Sequence, residues 1–192
     1  DQFAGAAGMA PTELPFVGEL LDMHADWEHW RHAADAELGG FANTVLLDER
    51  IEARFRRAIN DLPDLRRRLT FRAVPVNLPV LDAAETRYLS GRLVVKDGPF
   101  AGWLRKQVDT SYDLLCVETD REFTKDATPQ IALSGQTKRE KRGAHGSSGR
   151  VIGFSNVARR AELQEEITQW QEAKEPIDKE LGEFDKAEKE LV

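Results

Sequence analysis

Cysteine occurs once, and tyrosine and methionine twice each, in the 192 residues of this chain. A lone thiol, Cys116, excludes an internal disulfide and any cysteine-based metal site. Its setting in the run Leu114-Leu115-Cys116-Val117 reads as a buried small hydrophobe, in keeping with a reducing cytosol. No apolar run approaches the roughly 20 residues of a membrane-spanning helix, and no basic start followed by an apolar stretch marks a secretory signal. The start at Asp1 reads as that of a fragment, which leaves room for a targeting segment upstream. No Gly-Lys-Ser/Thr follows a strand, so the Walker pattern of nucleotide binding is missing too.

What the chain has in quantity is charge, unevenly placed. Residues 157–192 hold six Lys/Arg against eleven Asp/Glu, a net −5, whereas residues 1–156 hold 21 against 23, a net −2. Within the acidic segment, Leu163, Ile167, Trp170, Ile177, Leu181, Phe184 and Leu191 recur in steps of four and three, and Lys174 and Glu188 fill the remaining seam positions. This is a heptad seam, so a coiled-coil helix is expected from Val157 onward, with Ser155 and Asn156 as N-cap candidates and a bend or break at Pro176. Such a strand needs a partner. Asp1 to Leu14 is short and rich in Gly and Ala, so the partner is expected outside this chain segment or on another chain.

The remaining residues suffice for one well-buried domain or two small lobes. Phe16 to Met23 reads as a strand. Asp26 caps a helix with Trp27, Trp30, Ala34 and Leu38 on one face, stopped by Gly39-Gly40. Thr44 to Leu47 is a strand, and the next helix carries Ile51, Phe55, Ile59 and Leu62 inward and Arg50, Arg54, Arg56 and Arg57 outward until Pro63. Leu69 to Ala73 alternates as a half-exposed strand. After a Pro-containing passage from Pro75 to Ala84 the same order returns: a strand over Arg92 to Lys96, a helix from Pro99 bearing Phe100, Trp103, Leu104 and Val108, a strand over Leu114 to Val117, a short helix opened by the Thr119/Glu122 capping box, and a strand over Ile131 to Leu133. A polar loop and a strand from Val151 to Phe154 close the pattern. Two copies of strand, helix, strand, helix, strand predict two related α/β lobes.

The residues Leu14-Pro-Phe-Val-Gly-Glu-Leu-Leu-Asp22, Trp30, Ala34, Leu38 and Gly40-Phe-Ala42 resemble the start of the hinge domain in SMC-like proteins of the MukB/MksB/JetC branch. So do Gly98-Pro-Phe-Ala-Gly-Trp-Leu104, Tyr112-Asp-Leu-Leu-Cys-Val117, Phe123, Ser134-Gly-Gln-Thr-Lys138 and Val151-Ile-Gly-Phe-Ser-Asn156. The resemblance covers nearly the whole chain and is nearest to JetC of the Wadjet (MksBEFG, EptABCD) plasmid-defence systems. It implies an SMC-type hinge of two α/β lobes with a C-terminal coiled-coil helix, divided as linker 1–15, first lobe 16–74, second lobe 75–156 and coiled coil 157–192. It further implies a non-catalytic homodimerising segment of a cytoplasmic, nucleoid- or plasmid-associated ATPase, partnered by an upstream arm, condensin-like accessory subunits and DNA. No cofactor, metal or membrane enters that picture. The loop after Lys138 is shorter and richer in Gly and Ser than the family pattern.

Candidate sites are few. His24, His29 and His32 have spacings that put two on one helix face, but nothing completes a metal shell, and packing or surface roles are expected. Gly143, Gly146 and Gly149 with Ser147 and Ser148 lack the phosphate-loop context and read as a flexible loop. No triad or carboxylate pair stands out. The best signal is the basic set Lys138, Arg139, Lys141, Arg142 and Arg150 against Glu140 alone, a candidate for sequence-independent phosphate contacts with DNA, with His145 adding charge at lower pH. Arg66, Arg67 and Arg68 form a second run beside Asp61 and Asp64 and read as a solvated face. Three functions compete: a dimerisation hinge, a DNA-binding module, and an α/β ligand sensor coupled to a coiled coil.

Overall fold

The computed structural model describes residues 4–5, 8–60, 68–146, 149–154, 167–174 and 176. The chain divides into two units, Asp1–Phe154 and Ser155–Val192.

In the first unit the elements run β1 (Leu21–Met23), α1 (Arg31–Ala42), β2 (Thr44–Asp48), α2 (Glu52–Asn60), β3 (Thr70–Val74), then β4 (Leu93–Val95), α3 (Ala101–Ser111), β5 (Leu115–Val117), β6 (Gln130–Ala132), β7 (Thr137–Arg139) and β8 (Arg142–Ala144). The repeat read from the sequence is visible in the pairing. β2 and β3 are parallel across α2, and β5 and β6 are parallel across a 3-10 turn at Asp120–Glu122. The opening strands of the two copies, β1 and β4, pair antiparallel with each other, Asp22 opposite Val94. Extending β6 by antiparallel pairing, β7 and β8 complete the four-stranded order β5-β6-β7-β8.

Burial follows the apolar spacing. Trp30, Ala34 and Leu38 of the first copy and Leu89, Leu104, Val108, Leu114 and Ile131 of the second meet in one core cluster, so the two copies share a core. Each leucine, isoleucine or valine among them stabilises the fold by roughly 1.5–3 kcal/mol on removal from water. A second cluster forms around Phe55 with Val45 and Leu47, and Ala4, Met9 and Leu14 are buried in it, so part of the stretch ahead of Pro15 packs on this unit. Arg54, Arg56 and Arg57 face solvent on α2, and Arg50 does so in the 3-10 turn Glu49–Ile51 just before it; Leu62 and Pro63 lie outside the described residues.

Several local expectations are corrected. Phe16 to Met23 is not one strand: the Glu19 carboxylate accepts the Phe16 N–H at 2.9 Å and rolls Val17–Glu19 into a 3-10 turn before β1. His24, not Asp26, caps the next element, a 3-10 segment over Ala25–Trp30 kinked at Trp27. Gly39-Gly40 does not stop α1, because Gly39 is buried against the core and Asn43 receives the helix end, donating to the Gly39 carbonyl at 2.8 Å. Packing outweighs the roughly 1 kcal/mol cost of each helical glycine. α3 begins at Ala101, two residues after Pro99, and the Thr119/Glu122 box caps a 3-10 turn instead of a helix. The polar loop holds the β7/β8 hairpin, and Val151 to Phe154 is not a strand, its backbone being held by side chains.

Of the second unit, residues 167–174 and 176 are helical, Pro176 included. Ile167 and Trp170 are 47% and 76% exposed; the seam residues Leu163, Ile177, Leu181, Phe184 and Leu191 lie outside the described residues.

Cys116 sits on β5, half-buried instead of fully enclosed, and burial pushes its thiol up to about 12. About a thousandfold less thiolate than an ordinary cysteine carries should therefore form near neutrality. Iodoacetamide labelling should accordingly be slow in the native protein and become fast on unfolding in urea; equal rates in the two states would contradict this burial.

Candidate functional site

Two features stand apart from ordinary packing, and the first is the anchorage of the chain as it approaches Phe154. Arg31 and Asp35 lie one turn apart on α1, so both reach the same strip of neighbouring backbone. The Asp35 carboxylate oxygen Oδ1 accepts the N–H groups of Val151 and Ile152 at 2.9 and 3.0 Å. Arg31 Nη1 donates to the Ile152 carbonyl at 3.0 Å, and its Nη2 donates to Asp22 Oδ1 on β1 at 2.5 Å. Glu28 closes the ring as a second acceptor for Arg31. One residue on, the Gly153 N–H donates to the Gly18 carbonyl at 3.0 Å. A methyl group on Gly18 would lie 2.1 Å from the Val151 carbonyl oxygen, so only glycine allows this approach.

Charge in the clamp is set by its surroundings. Burial opposes the Arg31 cation, but hydrogen bonds to Glu28 and Asp22 outweigh it and hold its pKa above the ordinary value. Burial raises the Asp35 carboxyl above the usual range, against the two N–H donors and the nearby Arg31 and Arg150 charges. The clamp was missed in the sequence because Arg31 and Asp35 look like a routine helix-surface pair. The available signal was an acid one residue from Ala34, on the helix face that also carries Trp30 and Leu38.

The second feature is the basic hairpin. Glu140, in left-handed conformation at φ 53°, and Lys141 make the turn between β7 and β8. Of the five basic residues singled out in sequence, two head groups are engaged within the fold. Lys138 Nζ donates to the Asp126 carbonyl at 2.5 Å, and Arg139 Nη2 donates to Glu37 Oε1 at 2.6 Å and to the Ser111 carbonyl at 3.2 Å. Lys141 and Arg142 are exposed at the tip, whereas Arg150 is half-buried beside Gly153 and Asp35. The hairpin thus joins two exposed cations, not five.

Other sequence candidates disperse. His24 caps a turn, His29 lies edge-on to Trp30, and His32 approaches Gly135; among the described residues no three metal-ligating side chains converge. Gly143 is in β8, Ser147, Ser148, Arg66 and Arg67 lie outside the described residues, and Arg68 is exposed. Also missed was Arg92, sandwiched between Trp27 and Trp30 at 4.1 and 4.2 Å from their ring centroids, with burial lowering its pKa.

Removing the Asp35 carboxylate orphans two backbone N–H groups. Asp35→Ala should cost about 2–4 kcal/mol, and Asp35→Asn, which keeps an acceptor, less than about half of that. A carboxyl whose pKa is raised on folding stabilises most below its unfolded value and loses that contribution as pH rises through the folded value. The Asn variant should therefore gain on the wild type as pH is raised above about 4. Urea melts at several pH values check both; equal losses for Ala and Asn would remove the clamp from the account.

No family model matches the sequence and no curated protein matches it. Among solved structures, the chain is similar to the Pyrococcus furiosus Smc hinge domain with an extended coiled coil, at TM-score 0.54 and 17% identity, over 88% of this chain and 61% of that one. It is also similar to a structure of the folded elbow of cohesin, at TM-score 0.55 and 14% identity, over 88% of this chain and 25% of that one. The chain therefore spans less than two thirds of the length of either. With two α/β copies joined through β1 and β4, its fold is the α/β fold of an SMC hinge.

Proposed function

We propose that this chain is the homodimerisation hinge of an SMC-like ATPase, in a condensin-like complex that encloses DNA. The observation that carries the reading is the likeness to the Smc hinge domain over 88% of the chain. Two further facts support it. The antiparallel pairing of β1 with β4 joins the two strand-helix copies of each chain, and two related copies offer two faces to a symmetric partner. Ile167 and Trp170 lie exposed on the helical stretch, at positions a coiled-coil partner strand would cover. In this proposal residues 157–192 pair with the arm arriving upstream of Asp1, and the chain itself carries no catalysis.

The finer assignment is to the MukB/MksB/JetC branch and the Wadjet plasmid-defence systems, which would place the protein in the cytoplasm, on nucleoid or plasmid DNA, with accessory subunits bound elsewhere on the parent. It rests on the sequence motifs from Leu14 to Asn156 alone. Among the described residues no helix is long and apolar enough to cross a membrane.

Sedimentation equilibrium at high micromolar concentration should return twice the 21.6 kDa chain mass. A clean monomer would refute the hinge reading. The finer assignment predicts that cells carrying the parent gene resist plasmid transformation and lose that resistance when this domain is removed; undiminished resistance would sink it.

A further inference from the structure

A sheet edge that presents unpaired backbone groups is a template for another strand. β8 ends the four-stranded sheet, its three residues are all exposed, and no described strand pairs with its outer side. Arg139 and Arg142 close the hairpin across a two-residue turn, so Lys138 and Gly143 form the next pair, the one without mutual hydrogen bonds. The N–H and C=O of Gly143 therefore point away from β7.

Chemistry on either side of that edge narrows the occupant. Cross-strand partners share a face, which groups Arg142 with Arg139 and Ala144 with Thr137. The Arg139–Glu37 ion pair sets α1 against this face. Beside β8 lies a hollow of about 190 Å³, lined by Ala36, Glu37, Thr137, Ala144 and His145, with room for one aliphatic side chain. At the tip, Lys141 and Arg142 are exposed cations without an acidic partner among the described residues.

We propose that the outer edge of β8 and the adjoining hollow are a docking surface for an extended acidic segment of a partner protein. The segment adds to the sheet as a fifth strand, sets an aliphatic side chain in the hollow opposite Ala144, and sets a carboxylate, two residues away on the same face, against Arg142 and Lys141. Charge complementarity selects an acidic occupant, and the backbone edge selects a peptide. Duplex DNA fits less well, because Lys138 and Arg139 are bound internally and two free cations neutralise only about two phosphates.

The probe is a fluorescein-labelled octapeptide, Thr-Glu-Thr-Val-Thr-Glu-Thr-Val, titrated by anisotropy against the full chain. Binding should weaken at least about tenfold on N-methylation of alternate peptide amides, which removes strand donors and leaves the protein untouched. The double variant Lys141→Glu, Arg142→Glu should weaken it by a similar factor, and Ala144→Phe, which fills the hollow, should weaken it for the valine peptide more than for its alanine counterpart. Absence of binding at millimolar peptide would overturn the proposal, as would indifference to N-methylation. A short DNA duplex that binds tighter than the peptide and depends on Lys141 and Arg142 would overturn it in favour of a nucleic-acid site.

Discussion

The grip of Arg31 and Asp35 on the peptide groups of Val151 and Ile152 is the constraint on which the end of the first unit depends. Without strand pairing, residues 151–153 have little backbone order of their own, and their polar groups would be costly to bury. One helix turn supplies an acceptor for two N–H groups and a donor for one carbonyl, and the same arginine binds Asp22 on β1. The chain that began the first copy and the chain that ends the second are thereby fixed to one helix. Gly18 completes the arrangement by allowing the Val151 backbone to come within reach of the incoming segment.

Around that point the two copies interlock instead of standing apart. β1 and β4 belong to different repeats yet form one ladder, and Trp30 of the first copy lies in the same core as Leu104 and Ile131 of the second. Arg105 reinforces this within the second copy: buried to 3% exposure, it donates to the Leu93 and Ser90 carbonyls and pairs with Asp109. A buried arginine with every contact charge-assisted or to backbone is costly to disturb and fixes α3 to β4. Two related copies with a shared core thus form one compact unit.

How much of this was legible in the sequence depends on range. The order of strands and helices was readable because Trp30, Ala34, Leu38, Phe55, Leu104 and Val108 follow periods set locally. Boundaries were less so: Gly39-Gly40 looks like a stop, and only the packing around Gly39 and the Asn43 bond explain why α1 continues. The basic residues were visible as a cluster, but their partners, Glu37 for Arg139 and the Asp126 backbone carbonyl for Lys138, are set by the tertiary fold, so the number of exposed cations was not. The hairpin was hidden because Glu140-Lys141 lacks the usual Asn-Gly turn signature. The clamp was least visible, since its halves lie more than a hundred residues apart and depend on a glycine approach that no periodicity encodes.

Amide hydrogen exchange at Val151, Ile152 and Gly153 tests the central claim most directly. If Asp35 and Gly18 hold these three N–H groups, they should exchange as slowly as the Leu46 amide inside β2, and Asp35→Ala should release Val151 and Ile152 while Leu46 stays protected. Exchange as fast as that of the exposed tip residue Lys141 in the wild-type protein would show that the outgoing chain is not clamped, and the account of a fixed point of departure would fall.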